Sequence, residues 1–101
     1  LMGIVVVDSK DEQQVLLKVT GRFDFSSHHE FSSAYEQFPK GEWQFTVDLS
    51  ATEYMDSSSM GMLLQLKEHA CGEKPVSLVN PSDAVREILQ IASLDKLFVI
   101  V

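Results

Sequence analysis

The residues best suited to chemistry lie in one polar stretch, residues 48–61, which contains Asp56 followed by Ser57, Ser58 and Ser59. Aspartate and serine are preferred N-cap residues because their oxygens accept hydrogen bonds from the backbone N–H groups of a helix's first turn. Three consecutive serines exceed what one cap requires. An exposed hydroxyl at this position can instead accept a phosphoryl group, which the N–H groups and the dipole of the helix terminus then stabilise.

The other reactive side chains indicate no catalytic or metal centre. His28 and His29 are adjacent, so on a helix their side chains diverge by about 100° and cannot form an i, i+4 metal pair. His69 lies near the predicted end of a helix, where a cation favours the dipole. Cys71 is the only cysteine, which excludes an intrachain disulfide and a cysteine-based zinc site and favours a small buried side chain. The sequence predicts no cofactor, no metal and no enzymatic activity.

Composition narrows the class of protein further. The 101 residues are 45% hydrophobic and 23% charged, which predicts a single domain spanning residues 1–101. The formal net charge of −7 argues against binding to a nucleic-acid backbone. The longest apolar runs, residues 4–7 and 97–101, are far shorter than the roughly 20 residues of a membrane helix. We therefore expect no membrane insertion. Because no basic segment precedes a cleavable apolar stretch and Cys71 is the only cysteine, we also expect a cytoplasmic protein.

The strands that must position the polar stretch are predicted by alternation of apolar and polar residues. The clearest pattern spans residues 43–49, from Trp43 to Leu49, and is expected to be the central strand. A second alternating run ends at Gly21, where the strand is predicted to stop. The predicted strands are residues 4–7, residues 15–19, residues 43–49, residues 76–79 and a last strand from about residue 97.

Helical periodicity predicts three helices between these strands. Phe31, Ala34, Tyr35 and Phe38 share one face, and the capping-box spacing of residues 27 and 30 predicts a start at residue 27. The second helix spans residues 60–71 with residue 72, a glycine, as its C-terminal cap. The third follows residues 80–81, Asn-Pro, at its N-cap and first turn.

The resulting order, β-β-α-β-α-β-α-β, determines the fold class. Alternating strands and helices require right-handed crossovers and mainly parallel neighbours. We expect an α/β fold with a single mixed, mainly parallel β-sheet and amphipathic helices packed on it. Functional sites in open α/β sheets lie at the carboxyl ends of the strands, which is where the polar stretch begins.

These residues resemble a known family. The segment Asp56-Ser57-Ser58, which follows a strand and leads into residues 60–64, resembles the signature of STAS domains, the family of bacterial anti-sigma factor antagonists. Residues 21–24, Gly-Arg-Phe-Asp, are also similar to that family's strand-to-helix turn. The resemblance covers nearly the whole chain. The Asp-Ser-Ser segment is its most specific part, whereas the remainder is a generic α/β pattern.

The resemblance implies a specific mechanism. In such antagonists the serine after the motif aspartate is phosphorylated by a partner that is both an anti-sigma factor and a serine kinase, and a PP2C-type phosphatase resets the switch. Carried over, the acceptor is Ser57, with Ser58 the less favoured choice. The residues expected to contact the partner are Asp24, Asp56, Ser58, Ser59 and Met60.

One position departs from the family pattern. Members commonly have glycine after the two serines, and Ser59 stands there in this chain. A backbone with positive φ would be strained by serine, whereas the first turn of a helix would accept it. Two other functions remain open: a non-catalytic STAS subunit or regulator docking onto a phospholipid transport or biofilm-pathway complex, and, least favoured, a small enzyme built on the polar loop.

Overall fold

The structure, a computed structural model, describes residues 2–70 and 72–101. Its elements follow the predicted order, β-β-α-β-α-β-α-β, and short 3-10 turns at Phe25–Ser27 and Leu94–Lys96 precede α1 and β5. The strands and helices are β1 Met2–Ser9, β2 Gln14–Phe23, α1 His28–Glu36, β3 Gln44–Met55, α2 Ser57–His69, β4 Ser77–Val79, α3 Asp83–Ile91 and β5 Val99–Ile100. None of the helices in these described ranges is both long and apolar enough to cross a membrane.

The described strands form one sheet in the order β1-β2-β3-β4-β5. β1 is antiparallel to β2, and every other neighbouring pair is parallel. The prediction of a mixed, mainly parallel sheet with β3 at its centre is therefore confirmed. Because each right-handed crossover steps in the same direction, the helices pack on one face. On the opposite face of the sheet, the β1 residues Val5 and Val7 are about half exposed, with 52% and 56% of their surface accessible.

The core fills the space between the sheet and the helices. Alternate residues of β2 and β3 point into it, and α1 contributes Phe31, whose ring lies 4.9 Å from that of Phe23 between centroids. Burying a side chain of this size contributes about 1.5–3 kcal/mol. The side chains with no exposed surface include Leu17, Val19, Phe23, Phe45, Val47, Leu49, Leu63, Leu66, Leu78 and Leu89.

The strands that end just before Asp24 and Asp56, β2 and β3, are longer than predicted. β2 continues beyond Gly21, which adopts φ 79° beside a register shift. β3 continues past Leu49 to Met55 rather than ending before a polar loop. Its extension is stabilised because the buried Thr52 hydroxyl donates to the Val19 carbonyl at 2.9 Å. Hydrogen bonding to β2 thus keeps residues 50–55 in the strand despite their polar composition. As a result, β3 ends only two residues before the start of α2.

The ends of α2 also differ from the prediction. The helix begins at Ser57 rather than at residue 60, and it ends at His69 with Ala70 in an extended conformation. Gly72 is therefore not its C-terminal cap. A ring nitrogen of His69 lies 2.6 Å from the Phe38 carbonyl oxygen, so the ring links α2 to the segment after α1. The predicted burial of Cys71 lies outside the described residues.

The N-terminal caps of α1 and α3 differ from the prediction, in hydrogen bonding for α1 and in position for α3. Ser27 is the N-cap of α1 but makes no side-chain cap bond, so the predicted capping box is absent. In α3 the N-cap is Ser82, whose hydroxyl accepts from Val85 N–H at 3.2 Å. Asn80 instead adopts φ 57° and donates its N–H to the Val101 carbonyl at 3.0 Å. This contact places the Asn-Pro pair before the helix rather than in it.

Candidate functional site

Asp56 organises the start of α2. Its Oδ1 accepts the backbone N–H groups of Ser58 and Ser59 at 3.0 and 3.2 Å, as well as the Ser58 hydroxyl. The Ser59 hydroxyl accepts Asp56 N–H at 2.9 Å and donates to the Asp56 carbonyl at 2.8 Å. Together these bonds form a capping box, which satisfies N–H groups that lack a partner at the start of a helix.

Ser59 has a structural role at the start of α2, where the family commonly has glycine. Its side chain has no exposed surface, and it occupies the third helical position of the capping box. It is not among the described residues with positive φ. The backbone there is helical, so serine is accommodated without strain and its hydroxyl contributes two hydrogen bonds.

Ser57 differs from the two serines that follow it. It is the first residue of α2 and is exposed, whereas Ser58 is half-buried and Ser59 is buried. The hydroxyls of Ser58 and Ser59 are both bound to Asp56. No hydrogen bond within the described part of the chain engages the Ser57 hydroxyl. Its oxygen is therefore accessible from solvent at the N-terminus of a rigidly capped helix.

Asp24 forms a second cap at the end of the neighbouring strand. Its Oδ1 accepts Ser26 N–H at 3.0 Å and the Ser26 hydroxyl, and these bonds hold the 3-10 turn Phe25–Ser27. The sequence contains the same pattern twice, as residues 24–27 (Asp-Phe-Ser-Ser) and residues 56–59 (Asp-Ser-Ser-Ser). Because β2 and β3 are parallel neighbours, the two turns lie side by side.

A cation and an aromatic ring connect the two turns. Arg22 Nε donates to Asp24 Oδ2 at 2.9 Å, and the guanidinium carbon lies 3.7 Å from the centroid of the Tyr54 ring. The Tyr54 hydroxyl is directed at Asp56 Oδ2 at 3.4 Å, a long contact for an O–H donor. Arg22 and Tyr54 are register partners on β2 and β3, which accounts for their stacking.

These bonds determine the protonation of the two aspartates. The Ser58 hydroxyl is the main cause that lowers the pKa of Asp56 below its usual value, and the N–H groups of Ser59 and Ser58 add to it, against the opposing effects of desolvation and of the Asp24 charge. The Ser26 hydroxyl, followed by Arg22 and Ser26 N–H, likewise lowers the pKa of Asp24 despite its desolvation. Both carboxylates are ionised at neutral pH, so the surface beside Ser57 is negatively charged.

A shallow cavity of about 220 Å³ opens between the starts of α1 and α2. Phe25 forms its rim with 69% of its surface exposed, and its ring stacks on His28 at 5.4 Å between centroids. His28 Nε2 lies 3.4 Å from Gln65 Oε1 on α2. The cavity is lined by Phe25, His28, Ser57, Ser58, Gly61, Met62 and Gln65.

The predicted site residues are brought together in most cases. Asp24, Asp56 and the three serines lie at the same edge of the sheet. Met60, predicted to contact a partner, is half-buried and packs against the core. Sequence reasoning missed Arg22, Phe25 and Tyr54 as parts of this surface. The repeated Asp-x-Ser-Ser pattern would have identified Phe25, because it occupies the position of Ser57 in the first copy.

Comparison with known proteins agrees with this architecture. A family model described as "Mlab, STAS domain" matches residues 6–101. A STAS-domain containing protein of Pseudomonas aeruginosa (strain UCBPP-PA14) is 43% identical over 98 residues, which cover 96% of this chain and 97% of that protein.

Solved structures share the fold at lower identity. An anti-sigma factor antagonist from Mycobacterium paratuberculosis superposes with a TM-score of 0.80 at 20% identity, covering 99% of this chain and 85% of that one. The Bacillus cell fate determinant SpoIIAA in its phosphorylated form gives a TM-score of 0.63 at 20% identity, covering 98% and 91%. The match of the family model over most of the sequence, together with the close Pseudomonas relative, shows that the chain belongs to the STAS-domain family.

Proposed function

We propose that this chain is a phosphorylation-controlled protein-interaction module. With Ser57 unmodified, the surface formed by Asp24, Asp56 and Ser57 binds a partner that is both a serine kinase and an anti-sigma factor. With Ser57 phosphorylated, that partner is released. The observation that carries the proposal is the difference among the three serines: only Ser57 is exposed with its hydroxyl outside the cap, within the residues described.

The modification is a simple group transfer. The Ser57 oxygen attacks the γ-phosphorus of ATP held by the kinase, ADP leaves, and the hydroxyl proton passes to a base of the kinase. The product carries about −1.5 to −2 charge at neutral pH. A PP2C-type phosphatase hydrolyses the phosphoester and restores the hydroxyl. This fold accommodates phosphorylation in one neighbour, the Bacillus SpoIIAA solved in its phosphorylated form.

The charge distribution supports release on phosphorylation. Asp24 and Asp56 are close enough for the first to raise the pKa of the second through charge repulsion. A phosphate on Ser57 adds further negative charge and a strongly hydrated group to the same surface. Desolvating such a group at an interface costs several kcal/mol when no partner charge compensates it. At the N-terminus of α2 the same phosphate is favoured by the dipole, so binding changes while the fold is retained.

The proposed module is not an enzyme. The carboxylate nearest Ser57 in sequence is Asp56, which is engaged by the cap and whose pKa is lowered. A carboxylate with a lowered pKa is a weak base and cannot activate a neighbouring hydroxyl effectively. This argues for a serine that receives a phosphoryl group from another protein rather than one that attacks a substrate.

The direct test is to locate the phosphate. The purified chain is incubated with ATP and a candidate partner serine kinase, and the phosphopeptides are sequenced by mass spectrometry. We expect modification of Ser57 and none in the Ser57→Ala variant. A phosphate confined to Ser58 or Ser59 would contradict the assignment.

A second function is favoured by one observation, the 69% exposure of Phe25 beside Ser57. An exposed aromatic ring suits docking whether or not the serine is modified, as in a constitutive STAS subunit of a phospholipid transport or biofilm-pathway complex. In that case Ser57→Ala and Ser57→Asp would both retain the partner, whereas the switch predicts that only Ser57→Ala does.

A further inference from the structure

We propose that Arg22 is the internal counter-ion of phosphorylated Ser57 and that its terminal amino groups bind the phosphoryl oxygens. This inference rests on the proposed function, since it concerns the modified form of the same site. It assigns to Arg22 a positioning role: the residue holds the phosphate beside α2 and leaves the cap of Asp56 intact.

The Arg22 guanidinium is linked to the residue before Ser57 through the Tyr54 side chain. It lies over the Tyr54 ring, 3.7 Å from its centroid, and the Tyr54 hydroxyl in turn reaches Asp56. Asp56 directly precedes Ser57. Arg22 is therefore linked through Tyr54 to the residue before Ser57, at the edge of the sheet where α2 begins and where a phosphate on Ser57 would lie.

Arg22 also has hydrogen-bond donors that are available to a phosphate. A guanidinium has five N–H donors in a planar arrangement that matches two phosphate oxygens. Within the described part of the chain, only the Nε of Arg22 makes a hydrogen bond, which it donates to Asp24 Oδ2 at 2.9 Å. The side chain is 57% exposed, so the terminal amino groups are accessible to a new acceptor.

Arg22 can turn toward a phosphate at small cost to the fold. The Asp24 turn is held independently by Ser26, through both its N–H group and its hydroxyl. Loss of the Arg22 contact therefore leaves this cap in place. A phosphate offers about two negative charges and three acceptor oxygens, against one charge on Asp24.

Neighbouring groups define what competes for the phosphate. Asp24 and Asp56 repel it, whereas the ring of His28, which lines the same cavity as Ser57, is the alternative side-chain donor. The N–H groups of α2 add a favourable dipole that does not depend on Arg22. An experiment must therefore separate Arg22 from His28 and from a general change in charge.

The test is a phosphorus NMR titration of the chain with phosphoserine installed at position 57 by genetic code expansion. The second pKa of the phosphate is measured from about pH 4 to about pH 8, around its ordinary value of about 6. Variants Arg22→Gln and Arg22→Lys are compared with His28→Gln and with Lys67→Gln. Lys67 is exposed on α2, ten residues from Ser57 or about 15 Å along the helix.

We expect Arg22→Gln to raise the second pKa of the phosphate by about half a unit, the size of effect typical of an exposed ion pair. Arg22→Lys keeps the charge but loses the planar arrangement of donors, so its value should lie between those of wild type and Arg22→Gln. Lys67→Gln should leave the pKa unchanged. An unchanged pKa in both Arg22 variants, or a rise in His28→Gln alone, would overturn the inference.

The result is independent of the proposed switch. Because the phosphoserine is encoded, neither a kinase nor a partner is needed, and circular dichroism of each variant reports whether it is folded. A failed kinase reaction would contradict the proposed function while leaving the titration interpretable. An unchanged pKa would exclude the role of Arg22 while leaving phosphorylation of Ser57 possible.

Discussion

Asp24 and Asp56 adopt the same backbone conformation, with φ of −141° and −140° and ψ of −172° in both, at the ends of two neighbouring parallel strands. Each caps the turn that follows it with one carboxylate oxygen. The residue after each aspartate is exposed: Phe25 in one turn and Ser57 in the other. Two copies of one rigid turn therefore present an apolar ring and a modifiable hydroxyl on a common surface.

Removal of the Asp56 carboxylate should destabilise the protein. In Asp56→Ala the N–H groups of Ser58 and Ser59 lose their acceptor, so we expect the free energy of unfolding to fall by about 1–2 kcal/mol. Urea denaturation followed by circular dichroism measures this. Asp11→Ala, which removes a carboxylate from an exposed turn, is the control and should change stability by less than about 0.5 kcal/mol. Equal losses in the two variants would contradict the capping role.

The lowered pKa of Asp56 predicts a pH dependence with a definite sign. Because its pKa is lower in the folded state, its charge stabilises the fold above the unfolded value of about 3.9, and this contribution disappears as the pH falls through the folded value. The Asp56→Asn variant has no ionisable group at this position and therefore serves as the reference. The difference in unfolding free energy between wild type and Asp56→Asn should be constant near neutral pH and shrink below about pH 4. A difference that does not vary with pH would refute this.

The two serines in the cap should differ in importance. Ser59→Ala leaves Asp56 N–H without its acceptor in a site with no solvent exposure, which we expect to cost about 1–2 kcal/mol. Ser58→Ala removes a hydroxyl from a half-buried position and should cost less. Ser59→Gly, which restores the residue common in the family, should also destabilise because the backbone here is helical. Thermal unfolding of the three variants measures the order, and a more stable Ser59→Gly variant would contradict it.

Phe25 should contribute to partner binding without contributing much to stability. Its ring is 69% exposed, and we expect Phe25→Ala to weaken binding of the partner kinase by about tenfold or more, as for an aromatic side chain at the centre of an interface. Ile91→Ala is a matched control, because Ile91 is 78% exposed on α3. Isothermal titration calorimetry measures the affinity of the Phe25→Ala and Ile91→Ala variants for the partner kinase. Equal affinities in both variants would exclude Phe25 from the interface.

Much of the fold could be predicted because the patterns were local. The alternation of residues 43–49 identified the central strand, and the shared face of Phe31, Ala34 and Tyr35 identified α1, where all three are buried. The end of β3 could not be predicted in this way. Residues 50–54 are mostly polar, and they continue the strand because of hydrogen bonds to β2, which depend on residues about thirty positions away.

The candidate site was predictable in part for the same reason. The composition of residues 56–59 indicated a capped helix with a surplus serine. The resemblance already selected Ser57 among the three hydroxyls. A physical reason to favour it, that Asp56 binds the hydroxyls of Ser58 and Ser59, depends on the three-dimensional arrangement of the turn. The stacking of Arg22 on Tyr54 depended on the register of β2 and β3, which contains shifts that no sequence pattern indicates.

The central claim is that one phosphate on Ser57 controls partner binding. The most direct measurement is the affinity of the purified partner kinase, without ATP, for three forms of the chain: wild type, Ser57→Ala and phosphoserine at position 57. We predict similar affinities for the first two and a loss of at least about tenfold, or about 1.4 kcal/mol, for the third, since the charge of about −1.5 to −2 on the phosphate exceeds the single positive charge of Arg22 and leaves excess negative charge at the interface. Equal affinity of the phosphorylated and unmodified chains would contradict the account.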